Sequence, residues 1–279
     1  MTLRLLSLFA LGAFALSGCG GRIAPTTTDS DAGDADTDAD SDSDTDTDTD
    51  TDTDSDTDAD CGVPPNLGTF YGGIAAGLVT TDAYVNDAGI AAAIAAAPGD
   101  GDPNVDLSSN PVAISGATIT AVGFPENISF WIEDASGGIR AYFSDVPLPD
   151  DAISGQKVSF EITEIENYAN EIEISKYQNF SIDSSDNPVR VQTGQAVAFD
   201  YGTHGNQVFD VYGPLVTDLG ECGPANCWLL SNDGALTEVR IADDITWLPG
   251  DCIHFTAPLH RFGSDVQFDM FNFLWFEYY

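Results

Sequence analysis

The sequence predicts an all-β protein with two tandem five-stranded barrels behind a disordered acidic linker. The first observation is an internal repeat, because residues 112–182 and 207–274 share one order of turns and strands. Gly116 precedes Trp131 by 15 positions, and Gly213 precedes Trp228 by the same 15. The second observation is that short segments of alternating apolar residues fill both copies, with no helical pattern between them.

Residues 1–18 predict a lipoprotein signal peptide. Arg4 precedes an apolar run that is too short to span a bilayer, since a spanning helix needs about 20 apolar residues. The run ends in Leu16-Ser17-Gly18-Cys19, which resembles the lipobox of bacterial lipoproteins. The resemblance implies cleavage before Cys19 and attachment of acyl chains, palmitate among them, to that residue. Glycines in place of aspartate at positions 20 and 21 imply the outer membrane and leave the leaflet open. A secretory signal with a chance cysteine is the alternative.

Residues 19–60 predict a disordered tether rich in aspartate, threonine and serine. Within it, residues 29–60 hold 16 aspartates and no aromatic or large aliphatic residue. Such a segment buries too little apolar surface to offset its ordering entropy, and its charges repel one another. Calcium binding by the aspartates is the functional alternative, although a specific site needs a turn that gathers six or more oxygens.

The charge argues against nucleic acid as a partner. The formal net charge is -38, and only two lysines, Lys157 and Lys176, occur in the chain. A strongly acidic surface repels phosphate backbones. We therefore expect a membrane contact through the lipid, and a protein or glycan ligand at the cell surface.

Four cysteines besides Cys19 predict disulfides, because an exported chain with an even number of cysteines usually pairs them. They are Cys61, Cys222, Cys227 and Cys252. The short Cys222–Cys227 spacing favours a closed loop, which would leave Cys61 for Cys252, although all three connectivities stay open. Zinc is the alternative, but the C-x₄-C spacing lacks the usual knuckle. We expect no metal and no cofactor.

Residues 61–110 form a lead-in segment with one short helix. Alanines over residues 88–97 predict the helix, which Asn86 or Asp87 can cap and Pro98-Gly99 ends. The acidic residues 100–106 have the spacing of half a calcium loop. They lack its central glycine, so a solvated loop is the better interpretation.

The first copy, placed in a domain at 111–190, predicts five strands. They cover residues 112–122, 128–133, 139–143, 157–168 and 171–180. Ile165 breaks the alternation of the fourth strand and predicts a bulge there. Residues 168–170 predict a hairpin turn. Five short antiparallel strands in about 70 residues are typical of an OB-type barrel.

The strand 2–turn–strand 3 segment, Phe130-Trp131-Ile132-Glu133-Asp134-Ala135-Ser136-Gly137-Gly138-Ile139, resembles that of secreted bacterial OB-fold modules. Such modules occur in lipoproteins and beside extracellular nucleases. Ser154-Gly155-Gln156-Lys157-Val158 resembles the start of their fourth strand. In the second copy, placed at 191–279, Pro249-Gly250-Asp251-Cys252-Ile253 keeps that start, but the strand 2–3 turn keeps one glycine. The resemblance implies an outer-membrane lipoprotein with tandem OB-like modules.

OB barrels bind ligands on the outer face of strands two and three. Alternation places Trp131, Arg140 and Tyr142 on that face, where they would form a stacking platform, and Trp228 takes the matching position in the second copy. The alternative is that these aromatics are covered by the lead-in segment, by the other barrel or by the C-terminal tail.

No catalytic constellation is recognisable. The three histidines, His204, His254 and His260, lie in no known catalytic pattern. We therefore expect a monomeric, lipid-anchored protein of the outer membrane that acts as a non-catalytic binding or scaffold module. The alternatives are an accessory module of a secreted hydrolase or nuclease, and a calcium-dependent surface protein.

Overall fold

The computed structural model describes the parts of the chain that carry the two barrels. These are residues 61–62, 78–79, 84–123, 129–142, 148–149, 151–192, 200–222, 225–232, 234–242, 246–269 and 275–279. All of them belong to the unit Asp54–Tyr279. The predicted signal peptide (1–18) and tether (19–60) lie outside the described residues.

The lead-in segment lays one helix and two short strands against the first barrel. They are β1 (Leu78–Val79), α1 (Ile90–Ala96) and β2 (Val105–Asp106). The helix is capped from the barrel and not by its sequence neighbours. The Asp134 carboxylate accepts from the backbone N–H groups of Ala88 and Ile90 at 2.8 and 3.1 Å. Because the first N–H groups of a helix have no intrahelical partner, these bonds fix α1 to the barrel.

Five strands close the first barrel. They are β3 (Val112–Val122), β4 (Ser129–Asp134), β5 (Gly137–Tyr142), β6 (Lys157–Tyr168) and β7 (Glu171–Ser184). The hydrogen-bonded order is β6-β3-β4-β5-β7, and β7 pairs again with β6. The pairings are antiparallel apart from the parallel pair of β5 and β7. The predicted OB-like barrel is confirmed, and β3 and β6 have the predicted bounds.

Two predicted irregularities appear in this barrel. The register of β6 against β7 shifts between Glu164 and Ile165, where the apolar alternation breaks. Ala169 and Asn170 take positive φ angles of 50° and 64° and join β6 to β7, as a two-residue hairpin turn requires. The sequence did not predict the shift between Ile119 and Ala121 in the pairing of β3 with β4.

A short connection leads from the first barrel to the second. It contains β8 (Val189–Arg190), which pairs in parallel with β1, and α2 (Tyr201–His204). The Asp200 carboxylate accepts from the backbone N–H of Gly202 at 3.0 Å and caps α2.

The second barrel repeats the order of the first with one strand divided. Its strands are β9 (Val208–Glu221), β10 (Ala225–Asn232), β11 (Ala235–Ala242), β12 (Cys252–Pro258), β13 (His260–Phe262), β14 (Asp265–Asp269) and β15 (Trp275–Tyr278). β12 pairs with β9, while β13 follows after Leu259 and pairs with β14. β12 and β13 together therefore replace β6, and β14 lies parallel to β11 as β7 does to β5. β15 adds a strand outside β12.

Each barrel has its own apolar core. Phe130, Ile132, Ile139 and Ala141 point into the first core, as the alternation predicts. The second core has no side chain in common with the first and is built from residues of the second barrel. Two separate cores confirm the predicted all-β fold of two tandem OB-like barrels.

Two disulfides tie the second barrel together and join it to the lead-in segment. Cys222 pairs with Cys227, and Cys61 pairs with Cys252 across 191 positions. This is the pairing that the Cys222–Cys227 spacing favours. Both cysteines of the C-x₄-C motif are consumed, which removes the zinc alternative.

No helix in the described part of the chain has the length and apolar character to cross a membrane.

We expect the two disulfides to differ in their contribution to stability. Replacing both Cys61 and Cys252 with serine should lower the free energy of unfolding by about 5 kcal/mol, because this bond closes the longer loop of the unfolded chain. Replacing Cys222 and Cys227 should lower it by only about 2 kcal/mol. Urea unfolding of the two double variants measures both, and an equal loss would contradict the prediction.

Candidate functional site: a polar cavity beside the first barrel

A cavity of about 160 Å³ lies between the lead-in segment, the first barrel and the connection to the second. Five stretches of chain line it. Its lining residues are Tyr84, Val85, Asn86, Gly116, Thr118, Glu133, Asp134, Lys157, Asn187, Pro188 and Arg190. Concave sites with converging polar groups are the usual places for small ligands. This cavity is therefore the candidate site of the described residues.

Glu133 is the acid that faces the second barrel. Its Oε1 accepts from the backbone N–H of Val208, the first residue of β9, at 3.1 Å. Burial raises the pKa of Glu133 to about 8, although the Val208 N–H and the charge of Arg190 act in the opposite direction. The carboxyl group therefore keeps its proton at neutral pH and brings no charge to the cavity.

Asp134 is the acid that faces the lead-in helix. Besides Ala88 and Ile90, the backbone N–H and the hydroxyl of Ser136 donate to it at 2.7 and 2.6 Å. A carboxylate that accepts four hydrogen bonds is fully occupied. Asp134 therefore holds structure in place and offers no free acceptor to a ligand.

Two cations lie at the cavity, Lys157 at the start of β6 and Arg190 in β8. The backbone N–H of Arg190 donates to the Tyr84 hydroxyl at 2.9 Å, which holds the two segments together. Burial raises the pKa of Tyr84, so this hydroxyl remains a hydrogen-bond donor. The cavity thus combines two positive side chains with neutral donors.

The predicted platform is not an open face. Trp131 is 0% exposed, although it stands outside the first core. Its Nε1 donates to the Asn206 side-chain oxygen at 3.2 Å, so the approach to the second barrel covers the indole. Arg140 lies 5.3 Å from the Trp131 ring and 5.0 Å from that of Tyr142. Trp131 therefore lies outside the barrel core, where alternation places it, but it is covered, as the alternative interpretation allows; Tyr142 is 38% exposed at the edge of the stack.

Gly138 explains how the two barrels approach so closely. A Cβ at this position would lie 2.5 Å from the backbone oxygen of Asn206. Such a contact would force the backbone apart. Gly138, the second glycine of the strand 2–3 turn, is therefore needed for the close approach of Asn206.

Charged groups fill the rest of this contact. Arg140 Nη1 donates to Glu173 at 2.8 Å and to Glu171 at 3.2 Å. Burial raises the pKa of both carboxyl groups, although Arg140 opposes the change. His260 of β13 lies 3.9 Å from Glu171, and burial lowers its pKa, so the imidazole is neutral. A buried cluster of this kind sets the fit of two surfaces more than it adds stability.

Trp228 lies in the core of the second barrel and not on its surface. It is 4% exposed and packs with Leu230 and Val239. Ile119 and Leu215 occupy equivalent places in the two copies. The carbonyl of each accepts from the backbone N–H of the glycine that precedes the fourth strand, Gly155 in the first copy and Gly250 in the second. Ile119 pairs with Ile132, and Leu215 pairs with Leu230, so Ile132 and Leu230 are equivalent. Counting back along each strand, Leu229 is the counterpart of Trp131, and Trp228 is the counterpart of the core residue Phe130. The predicted match of Trp228 with Trp131 is wrong by one residue.

The acidic side chains of residues 100–106 do not converge on one point. Asp100 accepts from the backbone N–H of Asn170 at 2.9 Å, and Asp106 accepts from that of Ser108 at 2.8 Å. Within the described ranges, one cluster of three possible ligands occurs, namely Cys222, Cys227 and Glu238. Its two sulfurs are joined in a disulfide, and no residue of 100–106 belongs to this cluster.

The fold and the cavity define a two-barrel, OB-like protein with a small cavity beside its first barrel. No protein-family model and no curated protein matches the chain. Among solved structures, the tetrameric p202 HIN2 is 11% identical at a TM-score of 0.35, over 64% of this chain and 95% of that one. A murine DNA-binding protein bound with double-stranded DNA is 10% identical at 0.36, over 60% and 94%. The Ifi202 HINa domain in complex with 20-bp double-stranded DNA is 9% identical at 0.34, over 60% and 94%.

These structures correct the expectation that nucleic acid is an unlikely partner, because two of them hold double-stranded DNA. The physical reason is that net charge describes the whole chain, whereas recognition depends on the local surface. Sixteen of the acidic residues lie in residues 29–60, far along the chain from the barrels. What those proteins bind remains a property of those proteins.

We expect Glu133→Gln to reduce the pH dependence of stability. The folded protein keeps the Glu133 proton up to about pH 8, whereas the unfolded chain releases it near pH 4.5. Between these values the folded state binds more protons, so the free energy of unfolding falls as pH rises, by at most about 1.4 kcal/mol per pH unit. The glutamine variant should lose this part of the slope and be more stable than the wild type at pH 8.

Glu221→Gln is the matched control, because Glu221 is exposed at the end of β9. Urea unfolding from pH 5 to pH 9 measures all three proteins. The same slope in Glu133→Gln and the wild type would show that this carboxyl group is not held protonated.

Proposed function

We propose that the protein is a non-catalytic binding module held at the bacterial outer membrane by a lipid on Cys19, and that its ligand site is the cavity beside the first barrel. The observation that carries this proposal is the convergence of Tyr84, Glu133, Lys157 and Arg190 on one cavity. These residues are far apart in sequence, and hydrogen bonds hold their segments together before any ligand arrives. A site that is formed in advance loses less entropy on binding.

The lipid anchor is supported by Leu16-Ser17-Gly18-Cys19 and by the tether that follows. Acyl chains on a cysteine hold a folded domain at a membrane without a spanning helix, at about 0.8 kcal/mol per buried CH₂. The acidic residues 29–60 repel one another and would keep the barrels away from the lipid surface. The absence of aspartate at positions 20 and 21 supports the outer membrane.

A non-catalytic role is supported by the environment of two of the three described histidines, His254 and His260. His254 lies between Asp210 at 2.7 Å and Glu277 at 3.1 Å and is buried in the second barrel. His260 is buried and neutral in the contact between the barrels. A general base must reach a substrate proton, and both side chains are enclosed by protein.

We expect Cys19→Ala to release the protein from the membrane. The variant lacks the sulfur that accepts the lipid, so it should appear in the soluble fraction of a Gram-negative host and lose labelling by radioactive palmitate. The double variant Cys222→Ser/Cys227→Ser is the control, because it removes cysteines but keeps the lipobox and should stay with the membrane. Continued sedimentation of Cys19→Ala with membranes would contradict the anchor.

We expect Val85→Trp to block the cavity without unfolding the protein. Val85 lines the cavity and is 90% exposed, so a larger side chain there has room but covers the opening. Thermal unfolding is measured with inorganic phosphate, acetate, glucose and putrescine as probes. At least one probe should raise the melting temperature of the wild type and not of Val85→Trp.

Ile94→Trp is the control for this test, because Ile94 is also an exposed apolar residue but lies on α1, away from the cavity lining. It should respond to the probes as the wild type does. A probe effect that survives in Val85→Trp would place binding elsewhere, and no effect from any probe would contradict the proposed ligand site.

A further inference from the structure

We propose that the cavity beside the first barrel binds a small anion through a carboxylate or phosphate group, with Lys157 and Arg190 as its counter-charges. This inference rests on the proposed function and names the chemical class of its ligand. Its support comes from the two cations, from the way the neighbouring acids are occupied, and from the size of the cavity.

Lys157 is the first support, because its ammonium group has no hydrogen bond or ion pair with any residue that the structure describes. The chain has 46 acidic residues and 8 basic ones, so a basic side chain without an acidic partner is unexpected. The other lysine behaves as expected, since Lys176 Nζ lies 2.8 Å from Glu164 Oε2. Lys157 instead lines the cavity.

Arg190 is the second support. Among the described residues, no carboxylate lies within ion-pair distance of its guanidinium group. Its neighbour is an amide: when the Gln192 side-chain oxygen is turned toward Arg190, it accepts from the arginine Nε at 3.1 Å. A neutral amide orients the guanidinium group and leaves its positive charge available. Arg140 and Arg240, by contrast, lie beside carboxylates, while the Nε of Arg261 donates to the Gly263 carbonyl.

The acids of the cavity cancel only part of this positive charge. The Asp134 carboxylate offsets one of the two cations, but its oxygens already accept from four neutral donors. Glu133 is protonated at neutral pH because it is buried. Two cations and one carboxylate leave the cavity with a net positive charge, inside a protein whose net charge is -38. A partly enclosed site of low dielectric strengthens the attraction to an anion.

The size and the neutral donors fit a small organic or inorganic anion. The cavity volume of about 160 Å³ is roughly ten times the space that one water molecule needs. The Tyr84 hydroxyl, which keeps its proton, adds a neutral donor to the lining. Carboxylates and phosphates accept charge-assisted hydrogen bonds from lysine, arginine and hydroxyl groups.

The two lysines provide a direct test. Protein labelled with [¹⁵N]lysine should give two backbone amide signals, one from Lys157 and one from Lys176. Inorganic phosphate, acetate or citrate should shift the Lys157 signal to saturation and leave the Lys176 signal in place. Isothermal titration of the unlabelled protein gives the affinity of the anion that binds.

Lys157→Gln should weaken that affinity by about tenfold or more, as expected when a charge-assisted contact is lost. Lys176→Gln removes the same charge from the exposed pair with Glu164 and should leave the affinity unchanged. Equal shifts of both lysine signals, or equal weakening in both variants, would indicate a general salt effect and overturn the proposal.

The outcomes also separate this inference from the proposed function. If glucose or putrescine binds in a manner that Val85→Trp abolishes while no anion binds, the cavity is a ligand site but not an anion site. If none of the probes binds, the inference and the proposed ligand site fail together, and the lipid anchor is judged by Cys19→Ala alone.

Discussion

The arrangement of the segments around the first barrel depends on two adjacent acids at the end of β4, which accept hydrogen bonds from two different segments of the chain. Glu133 accepts from Val208 at the start of the second barrel, and Asp134 accepts from Ala88 and Ile90 of the lead-in segment. Backbone N–H groups that are buried need a partner, so each bond fixes a segment that has no other acceptor at that place. The cavity lies where these segments meet. One strand end therefore joins the lead-in segment, the start of the second barrel and the candidate site.

The sequence predicts the barrel well because its patterns are local. The alternation of β6, its break at Ile165 and the Ala169-Asn170 turn each depend on a few neighbouring residues. The covering of Trp131 was not predictable in this way, because it depends on Asn206, 75 positions away. Gly138 permits the close approach of the Asn206 backbone. From the sequence alone, however, this glycine is predicted only as part of the strand 2–3 turn. The alternation of apolar residues predicts which side chains point out of the barrel, but it does not predict which other segment covers them.

The cavity was missed for a related reason. Its lining comes from residues between Tyr84 and Arg190 that share no motif, and Lys157 was recognised only as the start of a strand. The composition offers one relevant signal. In a chain with only eight basic residues, a basic residue that lacks a nearby acid is a candidate for binding an anion. The structure accounts for Arg140, Lys176 and Arg240 through ion pairs. Among the described basic residues, that leaves the two cations of the cavity and Arg261, whose Nε donates to the Gly263 carbonyl, without an ion pair to a carboxylate.

The two copies of the repeat share the barrel fold but differ in what the outer face of strands two and three contacts. Both copies keep the same bulge in the first strand, since pairing skips Thr120 in one and Val216 in the other. The outer face of strands two and three differs, because Trp131 and Arg140 are replaced by Leu229 and Glu238 at equivalent places. In the first copy this face contacts the second barrel and the connection to it. In the second copy Leu236, next to that face, is 59% exposed. The repeat therefore preserves the barrel interior, while the outer surfaces have diverged in what they contact.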